Sequence, residues 1–210
     1  MIYVKTPVYI PYLFSNYWWT IPTTRPEVFL TFDDGPNPEI TPWVLDQLAK
    51  YDAKATFFLV GDNVRKYPRL AKEVLEAGHT IGNHTYSHMN GWKNSSHIYL
   101  QEVEKADCII EDVLGFRPRY FRPPYGRINF FTSKKILKNH QVIMWDVLAR
   151  DFDFRLSNRQ CIDNVIDNYQ FGSTIVLHDS AKCAGRVKAI LPEILYHFKQ
   201  SEVNLAPIKC

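Results

Sequence analysis

The chain has 210 residues, of which 46% are hydrophobic and 22% are charged, and its formal net charge is +3. These values are typical of one globular domain, and the weak, dispersed positive charge argues against a nucleic-acid-binding protein. No run of 18 apolar residues occurs, so we expect no membrane span. The N-terminal segment lacks the pattern of an export signal, which leaves the compartment open between the cytoplasm and, if a signal was trimmed, the cell envelope.

The first 26 residues differ in composition from the rest of the chain. They include four prolines and the aromatic group Tyr17-Trp18-Trp19. We expect residues 1–26 to form an irregular arm that packs on a single domain spanning residues 27–210. Stacking of these aromatic rings on a sugar is the alternative role for the arm.

From residue 27 onward, buried-type strands and amphipathic helices alternate about seven times, which predicts a parallel sheet with helices outside it. The predicted strands span residues 27–32, 55–60, 79–82, 141–147, 173–177 and 203–206. The predicted helices span 41–52, 68–77, 95–115, a short stretch from 132, 157–169 and 185–199. Their predicted caps are Thr41, Ser95 or Ser96, Thr132 and Ser157 with Gln160, and their glycine stops are Gly78 and Gly115.

Five polar clusters lie at strand ends; four follow strands of this set, and the one at Arg122 follows Tyr120-Phe121. Residues just past the C-terminal ends of strands line the mouth of a β/α barrel, and only a closed sheet brings five such ends around one mouth. The pattern therefore favours a barrel over an open sheet.

The first of these clusters is Asp33-Asp34-Gly35-Pro36, directly after a buried strand. Two adjacent carboxylates repel each other unless a cation or an arginine compensates one of them. Strand alternation points them in different directions, so we expect Asp33 and Asp34 to have different roles. A purely local Asp-Asp-Gly-Pro turn is the alternative.

The second cluster contains His84 and His88, four residues apart. On a helical turn these imidazoles would share one face and could share a metal ion. The spacing alone is weak evidence, but a carboxylate from another strand end would complete a two-histidine, one-aspartate set that suits Zn²⁺ or Fe²⁺.

The remaining clusters carry proton-handling residue types. Arg122 lies in a proline-rich turn that could hold its guanidinium bidentate against a carboxylate. Asp151 and His178 follow two other strands, and such a pair fixes the tautomer of the imidazole and raises its pKa. Trp92, just past the second cluster, could either stack on a sugar ring or pack within its loop.

The four cysteines show no metal-ligand or redox spacing. We expect reduced thiols rather than disulfides or a soft-metal site. The cysteines are Cys108, Cys161, Cys183 and Cys210.

Taken in order, five segments resemble the five motifs of the polysaccharide deacetylases, which are carbohydrate esterase family 4 with the NodB homology domain. The resemblance covers roughly residues 27–206, and its first motif is highly specific. The segments are Thr31-Phe32-Asp33-Asp34-Gly35-Pro36, His84-Thr85-x-x-His88, Arg122-Pro123-Pro124-Tyr125, Asp151-Phe152 and Val176-Leu177-His178-Asp179.

The resemblance implies a distorted, incomplete (β/α)7 barrel and a hydrolase that removes N-acetyl groups from sugars, of the polysaccharide, peptidoglycan or chitooligosaccharide type. It implies that one divalent cation binds to Asp34, His84 and His88. The resemblance implies Zn²⁺, the cation usual in the family. Two imidazoles and a carboxylate are also suitable ligands for Co²⁺ or Ni²⁺.

The resemblance also implies a role for each proton-handling residue. Asp33 would be the general base, oriented by Arg122, and His178 would be the general acid, oriented by Asp151. The backbone N–H of Tyr125 would help to hold the oxyanion. Two further residues, Phe152 and Val176, would wall the pocket for the acetyl methyl group.

Two positions depart from the family pattern. The fourth motif often has an earlier aspartate where this chain has Leu148, and a tryptophan where it has Phe152. Asp151 matches the family pattern, so the chemistry should survive, and the two departures bear on the floor of the pocket and its substrate preference.

Two other functions remain open from the sequence. One is hydrolysis of a different amide, such as a cyclic imide or ureide, at the same site. The other is a glycan-binding protein without catalysis, although such a protein would need no proton-handling residues. The sequence does not indicate which glycan is the substrate or the oligomeric state.

Overall fold

A computed structural model describes residues 3–209 of the chain. The strands are β1 (Glu27–Asp33), β2 (Thr56–Leu59), β3 (Thr80–Asn83), β4 (Tyr120–Phe121), β5 (Gln141–Val142), β6 (Val147–Leu148), β7 (Thr174–His178) and β8 (Asn204–Leu205). The helices are α1 (Tyr9–Leu13), α2 (Thr41–Lys50), α3 (Gly61–Lys66), α4 (Pro68–Glu76), α5 (Ser96–Leu114), α6 (Phe130–Ile136), α7 (Asn158–Ile166) and α8 (Ala184–Gln200), with a 3₁₀ turn at Pro124–Gly126.

Seven parallel strands form a curled sheet in the order β5-β4-β3-β2-β1-β7-β6, and β8 pairs with the start of β1. The sheet is not closed by a pairing between β5 and β6. The predicted distorted, incomplete (β/α)7 barrel is therefore confirmed. Because the strands are parallel, their carboxyl ends meet at one edge, where polar side chains can converge.

The central strand β1 is buried from Val28 to its end, as expected for a strand with neighbours on both sides. Its Phe32 ring stacks on Phe57 of β2 with 5.0 Å between centroids. On the outside, α8 buries an apolar face against the sheet. The strand is therefore held in the core up to its last residue, Asp33, where the Asp33-Asp34 pair begins.

The N-terminal arm lies along β5 and β6, the two edge strands of the incomplete barrel. The backbone of Trp18 bonds to Val142 O and Met144 N at 2.9 and 2.7 Å, and Leu148 N donates to Val4 O at 2.8 Å. Edge strands expose unpaired backbone groups, which the arm satisfies here. The division of the chain at residue 26 stays a prediction.

Several predicted local features differ from the structure. The predicted strand 141–147 is two short strands, because the backbone between them leaves β5 and pairs with the arm. Asn129, rather than Thr132, caps α6 by accepting from Thr132 N at 2.9 Å. Helix α3 was not predicted.

The cap of α2 is also different from the prediction. Thr41 is the first residue of the helix and not its N-cap, and its hydroxyl bonds elsewhere. By contrast, the caps at Ser95 and Ser157 and the left-handed stops at Gly78 and Gly115 are found as predicted.

Among residues 3–209, no helix combines the length and apolar character needed to cross a bilayer. Cys108, Cys161 and Cys183 are free thiols, and Cys210 lies outside the described residues.

Candidate active site

The structure brings the polar clusters of five strands together at one edge of the sheet. β1 and β7 are neighbours, and Asp33 is the register partner of His178 across that pair. Strand β3 leads into His84, β4 into Arg122 and β6 into Asp151. The polar clusters therefore converge as the sequence predicted. They form three groups of residues.

The first part is a group of Asp34, His84 and His88. Asp34 Oδ1 lies 3.1 Å from His88 Nε2 and 3.7 Å from His84 Nε2, and the two imidazole centroids are 5.1 Å apart. The segment 84–88 is not helical, so the helical-turn explanation of the spacing was wrong. Within this segment, the backbone is left-handed at Thr85 (φ 63°) and His88 (φ 57°). Asp34, at the end of β1, also has a left-handed backbone (φ 81°).

The imidazole of His84 is set in the form that a metal ligand needs. Its Nδ1 lies 2.7 Å from Arg122 O, and donation to that carbonyl leaves the Nε2 lone pair directed at Asp34. Burial lowers the pKa of His84 to about 4, against the opposing charge of Asp33, so the ring is neutral at pH 7.

Asp34 supplies the carboxylate of the same group. Burial by itself raises the pKa of this carboxyl, but the neighbouring imidazoles of His88, His178 and His84 outweigh burial and hold the pKa well below its usual range. Its Oδ1 is buried and makes no hydrogen bond with acceptable geometry. A buried carboxylate oxygen without a hydrogen bond, facing two imidazole nitrogens, fits a divalent cation with mixed nitrogen and oxygen ligands.

The second part is the pair of Asp33 and Arg122, both buried. Arg122 Nη1 donates to Asp33 Oδ1 at 2.7 Å and to Thr31 Oγ1 at 2.7 Å. Its other donors go to Ile143 O and Met144 O at 3.2 and 2.8 Å. The predicted bidentate contact was wrong, because backbone carbonyls take the remaining guanidinium donors. Asp33 Oδ2 is left 4.0 Å from His84 Nε2, beside the first group.

The third part is the pair of Asp151 and His178. His178 donates from Nδ1 to Asp151 Oδ1 and from its backbone N–H to Oδ2, both at 2.7 Å. Burial alone lowers the pKa of His178, but the charge and hydrogen bond of Asp151 outweigh it and raise the pKa to about 10. The imidazole is therefore held protonated at pH 7.

Cys183 also lies close to Asp151 and His178, so these three residues are a second possible set of metal donors. Two features argue against that use. The 2.7 Å distance between Asp151 Oδ1 and His178 Nδ1 is that of a hydrogen bond and is shorter than the separation of two ligands at about 2.0–2.2 Å from one zinc ion. Burial raises the pKa of the Cys183 thiol to about 12, which keeps it protonated.

The predicted substrate-contact residues lie at different depths. The ring of Tyr125, with a left-handed backbone at φ 60°, is 4.6 Å from that of His88. The ring of Phe152 stands edge-on to His178 at 5.3 Å. Val176 is buried two residues before His178, and it pairs with Leu148 of β6.

Trp92 is not brought into contact with this cluster. Its side chain is 66% exposed, its indole N–H donates to Ile128 O at 3.3 Å, and the guanidinium of Arg127 lies 5.2 Å from its ring.

Three residues that support the site received no role from the sequence. Thr31 bonds to Arg122, while Asn83 Oδ1 accepts from Thr85 N at 2.7 Å and so shapes the loop between the two histidines. Asp179 is fully buried beneath the Asp33-Asp34 turn, and burial raises the pKa of its carboxyl. The sequence offered one signal for them: Thr31 and Asp179 belong to the first and fifth motif segments, and Asn83 directly precedes the second.

Comparison with known proteins gives a consistent result. Residues 20–144 match the family described as polysaccharide deacetylase. Peptidoglycan-N-acetylglucosamine deacetylase of Bacillus cereus (strain ATCC 14579) is 39% identical over 165 residues, which are 78% of this chain and 60% of that protein. This chain thus spans less than two thirds of that relative's length. A second protein of the same name from this strain is 35% identical over 186 residues, 87% of this chain and 86% of that protein.

Solved structures agree with the sequence comparison. The crystal structure of the Bc1960 peptidoglycan N-acetylglucosamine deacetylase in complex with 4-naphthalen-1-yl-N-oxidanyl-benzamide has a TM-score of 0.88 and 33% identity. The match covers 97% of this chain and 95% of that one. The five motifs, the fold and these relatives together show that this chain belongs to the polysaccharide deacetylase family.

Proposed function

We propose that the protein is a metal-dependent hydrolase that removes N-acetyl groups from N-acetylated glycans of the peptidoglycan or chitooligosaccharide type and releases acetate. The observation that carries this proposal is the convergence of the buried Oδ1 of Asp34 with the Nε2 atoms of His88 and His84, at 3.1 and 3.7 Å. The names of the two B. cereus relatives support the choice of an N-acetylated glycan.

Asp34, His84 and His88 would hold one divalent cation, Zn²⁺ by the family's habit, with Co²⁺ and Ni²⁺ also suited to these ligands. Such a cation would polarise the acetyl carbonyl and lower the pKa of a water molecule beside it.

Asp33 is the candidate general base. Arg122 occupies its Oδ1, so Oδ2 is the oxygen directed towards the metal-ligand group and available to take a proton from the attacking water. The buried ion pair also keeps the carboxylate from rotating, which places the accepting oxygen before substrate binds.

His178 is the candidate general acid. Asp151 holds its Nδ1–H, so the Nε2–H of the charged ring would donate to the departing sugar amine. An amine leaves far more readily than an amide anion, so this proton completes the cleavage. The backbone N–H of Tyr125, in the turn beside His88, would donate to the developing oxyanion.

Phe152 and Val176 would form the wall for the acetyl methyl group. Phe152 lies against the imidazole of His178, which would protonate the leaving group. Val176 lies two residues before His178 on β7, so both side chains are on the same face of that strand, and Val176 is buried. The buried Leu148 adds an apolar side chain at the position where the family pattern often has an aspartate. The exposed indole of Trp92 would extend the contact surface for a longer glycan.

The test is acetate release from N-acetylglucosamine oligomers and from peptidoglycan, with the metal content measured on the same sample. We expect acetate from at least one of these glycans, loss of activity after removal of the metal by a chelator, and recovery on adding Zn²⁺ or Co²⁺. Asp33→Asn is the control variant, with activity lower by about 10²-fold or more and the metal retained. Turnover of non-sugar amides alone, or tight glycan binding without acetate release, would contradict the proposal.

A further inference from the structure

Asp179 is the first residue after β7, and its carboxyl is fully buried beneath the turn that ends β1. Its Oδ1 accepts from Gly35 N at 3.1 Å, and its Oδ2 accepts from Thr41 Oγ1 at 2.5 Å. Its backbone N–H donates to Asp33 O at 3.1 Å. One residue thus binds the turn at both ends and joins it to the start of α2.

The space around this carboxyl is filled. A Cβ atom built on Gly35 would lie 2.2 Å from Asp179 Oδ2, so the glycine backbone and the carboxyl are in direct contact. The hydroxyl of Thr41 is in turn fixed by Asn37 N at 2.8 Å. The carboxyl is therefore held on two sides and has little freedom to rotate.

The opposite side of the turn is held by the β2–α3 connection. Val60 N donates to Gly35 O at 2.9 Å, and Asn63 Nδ2 donates to Asp34 O at 2.8 Å. Between these two sets of bonds, Asp34 has a left-handed backbone that is unfavourable for a residue with a side chain. Such a conformation persists only where its surroundings enforce it, and Asp179 supplies the bonds on the β7 side.

We propose that Asp179 is a positioning residue, which holds the Asp33-Asp34-Gly35 turn so that Asp34 faces the two histidines and Asp33 faces Arg122. This inference rests on the proposed function of the same site. Asp179 acts through the backbone of the turn and does not touch the substrate.

The geometry predicts which substitutions are tolerated. Asp179→Asn keeps an oxygen for Gly35 N–H and a polar group for Thr41, with nearly the same shape. Asp179→Ala removes both bonds and leaves a buried backbone donor without a partner. The alanine variant should therefore lose the set position of the turn, and the asparagine variant should keep it.

The experiment measures the dissociation constant for Zn²⁺, by competition with a chromophoric chelator, and kcat and KM on an N-acetylglucosamine oligomer. For Asp179→Ala we expect zinc affinity and kcat to fall about 10–100-fold, the size seen when a residue that orients metal ligands is removed, with KM little changed. Asp179→Asn should restore both values to near those of the unaltered protein.

Asp146→Ala is the matched control. Asp146 is also a buried carboxylate and is bonded to Lys5 and Ser173. It directly precedes β6, so it lies at the amino-terminal ends of the strands, whereas Asp179 lies at their carboxyl-terminal ends. This variant should lose stability while keeping its zinc affinity. A general effect of removing a buried carboxylate would instead lower zinc affinity in both alanine variants, which would overturn the inference.

The inference is also overturned if folded Asp179→Ala binds zinc and turns over substrate like the unaltered protein, or if Asp179→Asn is as impaired as Asp179→Ala. If the alanine variant does not fold, Thr41→Val decides, because it removes one of the two bonds to the Asp179 carboxyl, together with the bond from Asn37 N, at nearly constant volume. Weaker zinc binding by Thr41→Val supports the inference, and unchanged binding refutes it. Failure of the unaltered protein to bind metal or release acetate would instead refute the proposed function.

Discussion

Replacing Asp151 by asparagine should change the pH range in which the protein works. The carboxylate of Asp151 is fully buried and accepts two N–H groups of His178, one from the ring and one from the backbone. Asparagine has one oxygen in place of two, so one of these donors must face an NH₂ group. The substitution removes the negative charge and also leaves one buried donor unpaired.

The magnitude follows from the pKa of His178. Burial lowers this pKa, and the charge and hydrogen bond of Asp151 reverse that effect and bring it from 6.5 to about 10. A cation bound at Asp34 opposes the rise in both proteins, so the informative quantity is the difference between them. We expect the asparagine variant to lower the pKa by at least one unit, with each unit equal to about 1.4 kcal/mol.

Loss of the Asp151 charge should lower the pH at which activity is lost. A general acid must be protonated, so activity is lost as the pH rises through the pKa of His178. The unaltered protein should therefore keep its kcat/KM to higher pH than Asp151→Asn, whose basic limb should shift downwards. The same raised pKa stabilises the folded state below pH 6.5, and this stabilisation is lost as the pH rises towards 10.

The assay is kcat/KM for acetate release between pH 5 and about pH 10 on both proteins loaded with the same metal, with the free energy of unfolding measured over the same range. Asp146→Asn, at the opposite end of the sheet, is the control for loss of a buried carboxylate charge. If kcat/KM falls at the same high pH in the unaltered protein and in Asp151→Asn, His178 is not a general acid whose pKa Asp151 raises.

Three further predictions concern single side chains. Arg122→Met should lower the free energy of unfolding by about 3–5 kcal/mol, because it leaves the buried Asp33 carboxylate unpaired; a loss under about 1 kcal/mol in urea unfolding would contradict this. His88→Ala should abolish tight zinc binding, measured by chelator competition, while the circular dichroism spectrum of the metal-free protein stays unchanged, because the side chain is partly exposed; retained affinity would remove it from the ligand set. Trp92→Ala should leave kcat unchanged and raise KM for long oligomers about 2–10-fold, from roughly 0.5–1.5 kcal/mol of stacking, and an unchanged KM would assign Trp92 to loop packing alone.

The sequence by itself determined the alternation of most strands and helices and the polar residues that follow the strands, although it missed α1, α3 and β4 and merged β5 with β6. Strand composition around Phe32 and Phe57 and the capping box at Ser157 are local signals, since each depends on a few neighbouring residues. The motif residues could likewise be chosen from their types and from their places after buried strands. Because strands and helices alternate as in a parallel sheet, the motif residues at the strand ends could be predicted to lie close together.

Only the tertiary structure decided how those residues meet. The pairing of β1 with β7 places Asp33 opposite His178, and no local pattern encodes that register. The left-handed backbone at Thr85 and His88 depends on bonds from Asn83 and neighbouring turns, which is why a helical turn was the wrong explanation for the spacing.

The same limit explains the remaining differences. The single contact between Arg122 and Asp33 is set by carbonyls from the segment after β5, and the break between β5 and β6 arises where the backbone pairs with the N-terminal arm. Asp179 gained a role only when its carboxyl was seen beneath Gly35, 144 residues away in sequence. Contacts of this kind depend on burial and register across the whole sheet, and a local sequence pattern carries no record of either.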